Sequence, residues 1–545
     1  MKKSINALLQ SVRTLSNKFD ESSQATLASQ LLQLSSSNLR NADSLAGFHE
    51  ILLFICAYPG TKAIRRLAEK ELSRIAMLLK KPSGITGRLP LNEGLPYQDT
   101  ITRFTPDFLS WLMQHDDLVV TFDSFYKPVI DLNRFLALTL PSVLRGETTA
   151  GLDNGALLDS LGIKDKQIPF FMLQQLQALK DKPLERDLLF ELLDMYVCLK
   201  PLNRRFSRTY NRIPVKGTYY HEGMLKNFDM MELLDARLPE PSMTGSDDKK
   251  ACLKVIRNSM ALGARETDPV TFMDERSFRF YELERGISIA IYGMVPGRQL
   301  PLESYLGFSL FKNGFPCAYG GAWVFGNRAR FDMNIYEPFR GGESGYLMCQ
   351  LLRVYRQVFS ITCFEVEPYQ YGLDNPDGIR SGAFWFYYRY GFRPADTALR
   401  KLAETEKLKI NKRNNYRSSE KTLLKFTASN LELMLAGKKA VQVTDIIEKM
   451  KTMLTAKNSS NMTETADKAV RHFMNQVDMP EPGLMDEKQV LSEMALWAKA
   501  MNITGREKLQ LLFSCVHAKT NDVYQYQQLV RQLSGCNSLD AGQKQ

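Results

Sequence analysis

The sequence predicts an α/β fold, a mixed sheet with flanking helices, preceded and followed by all-α regions. Three observations carry this. Apolar residues recur at helical spacing over the first and last parts of the chain. In the middle, "GISIAIYGMVP", "YLGFSLFKNGFPCAYGGAWVFGNRARFDMNIYEPF" and "ITCFEVEPYQYG" are β-branched and aromatic runs cut by turn residues. A Gly-rich turn there also leads from a strand into an amphipathic helix. At 545 residues the chain is long enough for two to four domains.

Residues 1–237 read as a helical N-terminal domain. Phe48, Ile51, Leu52 and Ile55 share one face until "YPG" breaks the pattern, and Leu67, Leu72, Ile75 and Leu78 resume it. Thr105 followed by Pro106 is a helix start, a capping hydroxyl before a proline at the first helical position. "DKPLERDLLFELLDMYVCLKPL" reads as a further helix ended by Pro201. Residues 238–250, within "RLPEPSMTGSDDKK", are the expected linker, rich in Pro, Ser, Gly and charge. The strand-rich domain should occupy 251–398, with hairpin turns at "KNG" (Lys312) and "GNR" (Gly326). A helical region is expected over 399–535 and a flexible tail over 536–545.

The eight cysteines stand singly, with no CxxC pair, and the five histidines are dispersed, so no metal-ligand spacing exists and no metal is expected. Reduced, buried thiols are the expected state. The lysine-rich start lacks both an uninterrupted apolar stretch and a small-residue cleavage site, and the longest apolar run is far short of the roughly 20 residues that span a bilayer. These features point to the cytoplasm and away from membranes. The net charge is +11, concentrated in "NRRFSRTYNRIPVKGTYYH" and "KLKINKRNNYRSSEKTLLK". Arginines interleaved with aromatics suit nucleic acid, although solvated helix faces read the same way.

The chemistry-bearing residues cluster in the middle. "IYEPFRGGESGYLMCQLLRVYRQVF" joins a strand to a helix starting near Ser344, and Arg340, Gly341, Gly342, Ser344 and Gly345 surround its first turn. A glycine-rich helix N-terminus offers backbone N–H groups to a phosphate. In "RFDMNIY", Asp332, Asn334 and Tyr336 alternate against Phe331, Met333 and Ile335. In "CFEVEP", Glu365 and Glu367 oppose Phe364 and Val366. A polar face on a central strand is unusual. It indicates either chemistry, or edge exposure or pairing with Arg330, Arg353 or Arg380.

The order of elements, with Arg340 and Gly345 at the ends of the turn and Tyr387, Gly391 and Phe392 closing "SGAFWFYYRYGFRP", resembles the GNAT N-acetyltransferase superfamily over about 270–396. The phrases "ELERGISIAIYGM", "PFRGGESG" and "SGAFWFYYRYGFRP" are also similar to those of a bacterial protein family in which they stand beside a helical N-terminal region. The superfamily resemblance implies a sheet of six or seven strands whose two central strands splay to admit a thioester. It implies acetyl-CoA or another acyl-CoA as co-substrate, held by Ile335, Arg340, Gly341, Gly342, Ser344 and Gly345. It implies Tyr387 as the acid that protonates the leaving thiolate. Asp332, Glu365 and Glu367 are then base candidates, with Glu337 nearer the strand end. The acceptor would be an amine on a small molecule or a protein. Glu343 replaces the central glycine of the turn, which sets a carboxylate beside the expected diphosphate and calls for Arg340 or another base to neutralise it. The alternative reading is an inactive GNAT-like binding module in a helical scaffold.

Overall fold

The computed structural model describes residues 4–243, 245–413, 415–435, 442–456, 461–477, 479–480 and 482–535. The expected flexible tail lies outside them. The chain opens with four helices, α1 (Ile5–Leu15), α2 (Glu21–Ser35), α3 (Ala42–Ala57) and α4 (Lys62–Lys80). Side chains of Ser4, Asp20, Asn41 and Thr61 cap them, each supplying an acceptor for a first-turn N–H. The "YPG" turn ends α3 as the pattern predicts. Thr105 caps α5 (Pro106–Met113), with Pro106 at its first position.

This part is not all helical. Strands β1 (Thr100–Thr102), β2 (Leu118–Phe125) and β3 (Met195–Pro201) form a three-stranded antiparallel sheet in the order β1-β3-β2. The helix expected to run to Pro201 stops at Leu192 (α6, Pro183–Leu192). Asp194 turns the chain at φ 46, and "MYVCLKP" continues as a strand buried at Met195, Val197, Cys198 and Leu199. The apolar run suited either period, and pairing with β1 and β2 decided it.

The expected linker is packed. Its end, from Ser246, is already the first turn of α7 (Ser246–Leu262). Upstream, Leu238 N–H donates to Gln357, and Ser242 bridges Phe280. One continuous core runs from Leu8 through Leu433, so the N-terminal helices and the large sheet share it. Residue 237 therefore marks no break in the core.

Eight strands form the large sheet: β4 (Met273–Glu282), β5 (Ile287–Met294), β6 (Ser304–Lys312), β7 (Phe315–Phe325), β8 (Arg328–Ile335), β9 (Cys363–Val366), β10 (Arg393–Pro394) and β11 (Leu431–Met434), in the order β10-β11-β9-β8-β7-β6-β5-β4. Neighbours are antiparallel except β8 and β9. The expected turns are present: Asn313 and Gly314 both take positive φ between β6 and β7, and Gly326 does so after β7. Helix α8 (Ser344–Phe359) crosses from β8 to β9, and α9 (Ala383–Arg389) precedes β10. Helices α10 (Thr397–Lys412) and α11 (Glu420–Phe426) then lead to β11, which inserts between β9 and β10. The sheet thus reaches past residue 398, where the strand-rich domain was expected to end.

A second core begins at Val443. It joins helices Val443–Leu454, Met462–Val477, Met485–Ala500, Arg506–Asn521 and Val523–Leu533 and borrows Leu302, from the loop before β6, and Phe325, at the end of β7. Among the described residues no helix is long and apolar enough to cross a membrane.

Candidate functional site

The parallel pair β8/β9 is short. Its register covers Arg328↔Cys363, Ala329↔Phe364 and Arg330↔Glu365, after which β8 runs on to Ile335 while β9 ends at Val366. On its other edge β8 stays paired with β7 throughout, from Phe325↔Arg328 to Ala318↔Ile335. Tyr336 N–H donates to Cys317 O (2.9 Å). Antiparallel alternation then aims the peptide groups of Phe331, Met333 and Ile335 away from β7. Beyond Arg330 no further register between β8 and β9 is present among the described residues.

Asp332 sits on β8 in a cross-strand row with Gly321, Gly307 and Tyr292. Both glycines are required by crowding. A Cβ at Gly321 would strike the Tyr305 ring and one at Gly307 the Tyr292 ring. Tyr305 therefore reclines across the sheet and donates its hydroxyl to Asp332 Oδ1 (3.3 Å), while Asn334 Nδ2 donates to Oδ2 (3.2 Å). Burial raises the Asp332 carboxyl to about 6, with the Glu367 charge adding to the rise and the bonds from Tyr305 and the Gly321 N–H opposing it.

Tyr387, on α9, is 4% exposed. Its ring meets Phe331 at 6.4 Å and Phe392 at 5.6 Å between centroids. Burial pushes its phenol upward, and the Asp332 charge pushes in the same direction. Tyr388 instead lies beneath the Arg393 guanidinium (3.8 Å).

The glutamates of β9 separate. Glu365 is 2% exposed and held by Arg328, whose Nε is 2.6 Å from Oε1 and whose Nη2 closes the fork on Oε2. The Asn430 amide adds a third bond at 3.4 Å. Glu365 thus pairs with an arginine that sequence reading did not propose, and its acceptor sites are occupied. Glu367, just past the end of β9, is about half exposed and 3.2 Å from Arg330 Nη1. Glu337 is bound by Arg265 at 2.6 Å and by Arg340 at 3.3 Å. Burial opposes ionisation of its carboxyl, but the Arg265 pair outweighs this and holds it below the usual range.

The glycine turn is partly filled. Gly341 is exposed, takes φ +89 and meets nothing within 4 Å. Gly342 lies against the Tyr58 hydroxyl, and the Tyr390 hydroxyl occupies the space where a Gly345 Cβ would stand. Ser344 begins α8, whose first-turn N–H groups lack intrahelical acceptors. Arg340, 60% exposed, folds back so that its Nε donates to Ile335 O (3.2 Å).

Glu343 corrects the sequence reading. Its carboxylate turns inward, away from the turn, and is 1% exposed. Lys312 Nζ lies 2.8 Å away, Arg285 donates to Oε1 from Nε (3.0 Å) and Nη2 (2.5 Å), and Leu225 N–H donates at 2.8 Å. Burial works against its charge, but Lys312, Arg285 and the amide outweigh that and hold the carboxyl below its usual range. The bases that neutralise it are therefore Arg285 and Lys312, not Arg340.

Among the described residues no group of histidines, cysteines and carboxylates could hold a metal, and the described cysteines are buried and unpaired. Comparison of the chain with protein-family models, curated proteins and solved structures finds no match.

Proposed function

We propose that the chain is an acyl-CoA-dependent N-acyltransferase, transferring an acyl group, acetyl first among the candidates, to an amine of a small molecule or protein. The observation that supports this is the run of β8 past the end of β9, with partly buried Asp332 on that strand and the Tyr387 ring against its neighbour Phe331. The Met333 peptide group and the Ile335 N–H on that edge suit the amides of a pantetheine arm, and one of these N–H groups can donate to the thioester oxygen as it gains charge. Asp332, with a carboxyl raised to about 6, accepts a proton from the acceptor ammonium, directly or through water. The freed amine attacks the thioester carbonyl, the C–S bond breaks, Tyr387 protonates the thiolate, and the proton shed by the acylated nitrogen restores the Tyr387 phenol, directly or through water. Gly341, Ser344 and exposed Arg340 would meet the diphosphate, with the Tyr390 hydroxyl either swinging aside or donating to it.

Calorimetry with acetyl-CoA and longer acyl-CoAs tests the reading. Binding that weakens on Arg340→Ala is expected, and no heat with any acyl-CoA would overturn it. A second reading, a GNAT-like module that binds without turnover, is favoured by two observations: Arg328 occupies Glu365, and Tyr58 and Tyr390 fill two of the turn's glycine positions. Acyl-CoA binding with no thioester hydrolysis or amine acylation would select it.

A further inference from the structure

The chain's positive charge is unevenly spent. Residues 389–425 hold eleven lysines and arginines against four carboxylates, +7 of the net +11. In the other basic stretch the structure accounts for the charge. Arg205 pairs with Asp117 (3.0 Å), Arg208 with Glu93 (3.8 Å), Arg212 with Glu69 (3.1 Å) and Lys216 with Glu282 (3.9 Å), and Arg204 lies over the Tyr210 ring. Among the described residues of α10, α11 and the turn between them, the ion pair is Lys409 with Glu406. Lys407, Lys412, Arg413, Arg417, Lys421 and Lys425 are all exposed, and among the described residues none has a carboxylate within ion-pair distance.

Six solvated cations on one two-helix excursion repel one another, a cost that a polyanion would relieve. We propose that the α10–α11 excursion is a docking surface for the phosphate backbone of a nucleic-acid duplex, independent of acyl transfer. The surface chemistry favours phosphate over a lipid surface. The outer face of α10, about 24 Å long, carries Lys401, Thr405, Leu408 and Lys412, a single leucine where an interfacial helix needs a broad apolar face. The nearby aromatics are tied inward, Tyr416 to Glu406 (2.9 Å) and Trp385 to Ser418 (3.2 Å). They are not free to insert into lipid or to stack on unpaired bases. At the tip, Arg413 and Arg417 present guanidinium forks that match phosphate oxygens, flanked by Lys412 and Lys421.

The test is fluorescence anisotropy of the full chain with 20-base-pair DNA and RNA duplexes at 50 to 200 mM salt. Four phosphate contacts predict a salt slope of roughly −3.6 and a loss of about 10²-fold over that range. Lys412→Ala/Arg413→Ala/Arg417→Ala should flatten the slope by about 2.7 and cut affinity at least about ten-fold at 50 mM. Arg205→Ala/Arg212→Ala should change neither by more than about two-fold, and a thermal melt checks that both variants fold. The proposal fails if no duplex binds at 50 mM salt, or if the triple variant binds with unchanged slope. It also fails if vesicles of phosphatidylcholine and phosphatidylserine bind while duplexes do not, which would make the excursion a membrane contact.

Discussion

Lys312 Nζ lies 2.8 Å from Glu343 Oε2, with both side chains wholly out of solvent. The pair joins the end of β6 to the N-cap of α8, with Arg285 bound to the same carboxylate and His221 Nε2 3.8 Å from it. Removing one partner strands charge in the interior, so Glu343→Gly or Glu343→Ala should cost about 3–5 kcal/mol. Lys312→Met, which leaves Arg285 on Glu343, should cost less, and the double variant less than the sum of the two. Urea denaturation with a tertiary-structure probe measures this. Additive losses would mean the pair is not coupled.

The buried histidines set an acid limit. His49 and His221 are both lowered to about 3, burial being the larger cause, with Arg208 adding for His49 and Lys312 for His221. Above about pH 6.5 both are neutral in either state and neither matters. As pH falls from about 6.5 to 3 the unfolded chain takes up their protons and the folded chain does not, so each should lower stability by about 1.4 kcal/mol per pH unit. His221→Phe should flatten the fall between pH 6 and 4 relative to wild type. Parallel pH profiles would show that His221 titrates alike in both states.

Tyr387→Phe removes a hydroxyl and leaves the ring against Phe331 and Phe392. Turnover should fall roughly 10²-fold with acyl-CoA affinity little changed. Tyr388→Phe should leave the rate near wild type, because that ring serves Arg393. A Tyr387→Phe enzyme with unchanged rate per folded molecule would make the residue a packing group.

If Asp332 is the base, kcat/KM should rise with pH through about 6, the value to which burial lifts this carboxyl. Asp332→Asn should abolish that limb, whereas Glu365→Gln should damage stability before it touches the pH profile. The same ascending limb in Asp332→Asn would move the role to Glu367.

Much of the sheet was legible because its signals are local. The alternation in "RFDMNIY" and "CFEVEP", the turns at Asn313–Gly314 and Gly326, and the helix from Ser344 each depend on neighbours a few residues away. The partners of the charged residues were not legible. Glu343 meets Lys312 across 31 residues and Arg285 across 58, and Glu365 meets Arg328 across 37. Alternation shows that a carboxylate faces one way but not what waits there. Strand β11 was missed for another reason. "LELM" is four residues long and suits a helix equally well, and only the gap between β9 and β10 makes it a strand.

That late strand gives the protein a schedule. When synthesis has delivered Pro394, every group proposed for chemistry has been made, yet the strand that covers β9 has not. Until Met434 emerges, β9 presents Cys363 to Val366 as an unpaired edge, and β10, two residues long, has no neighbour to pair with. Open edges invite pairing with other chains. A fragment ended near residue 398 should therefore aggregate as a defective edge rather than behave as a smaller enzyme. Ended after Met434, the fragment carries the whole sheet and should stay dispersed, which light scattering of the two would show.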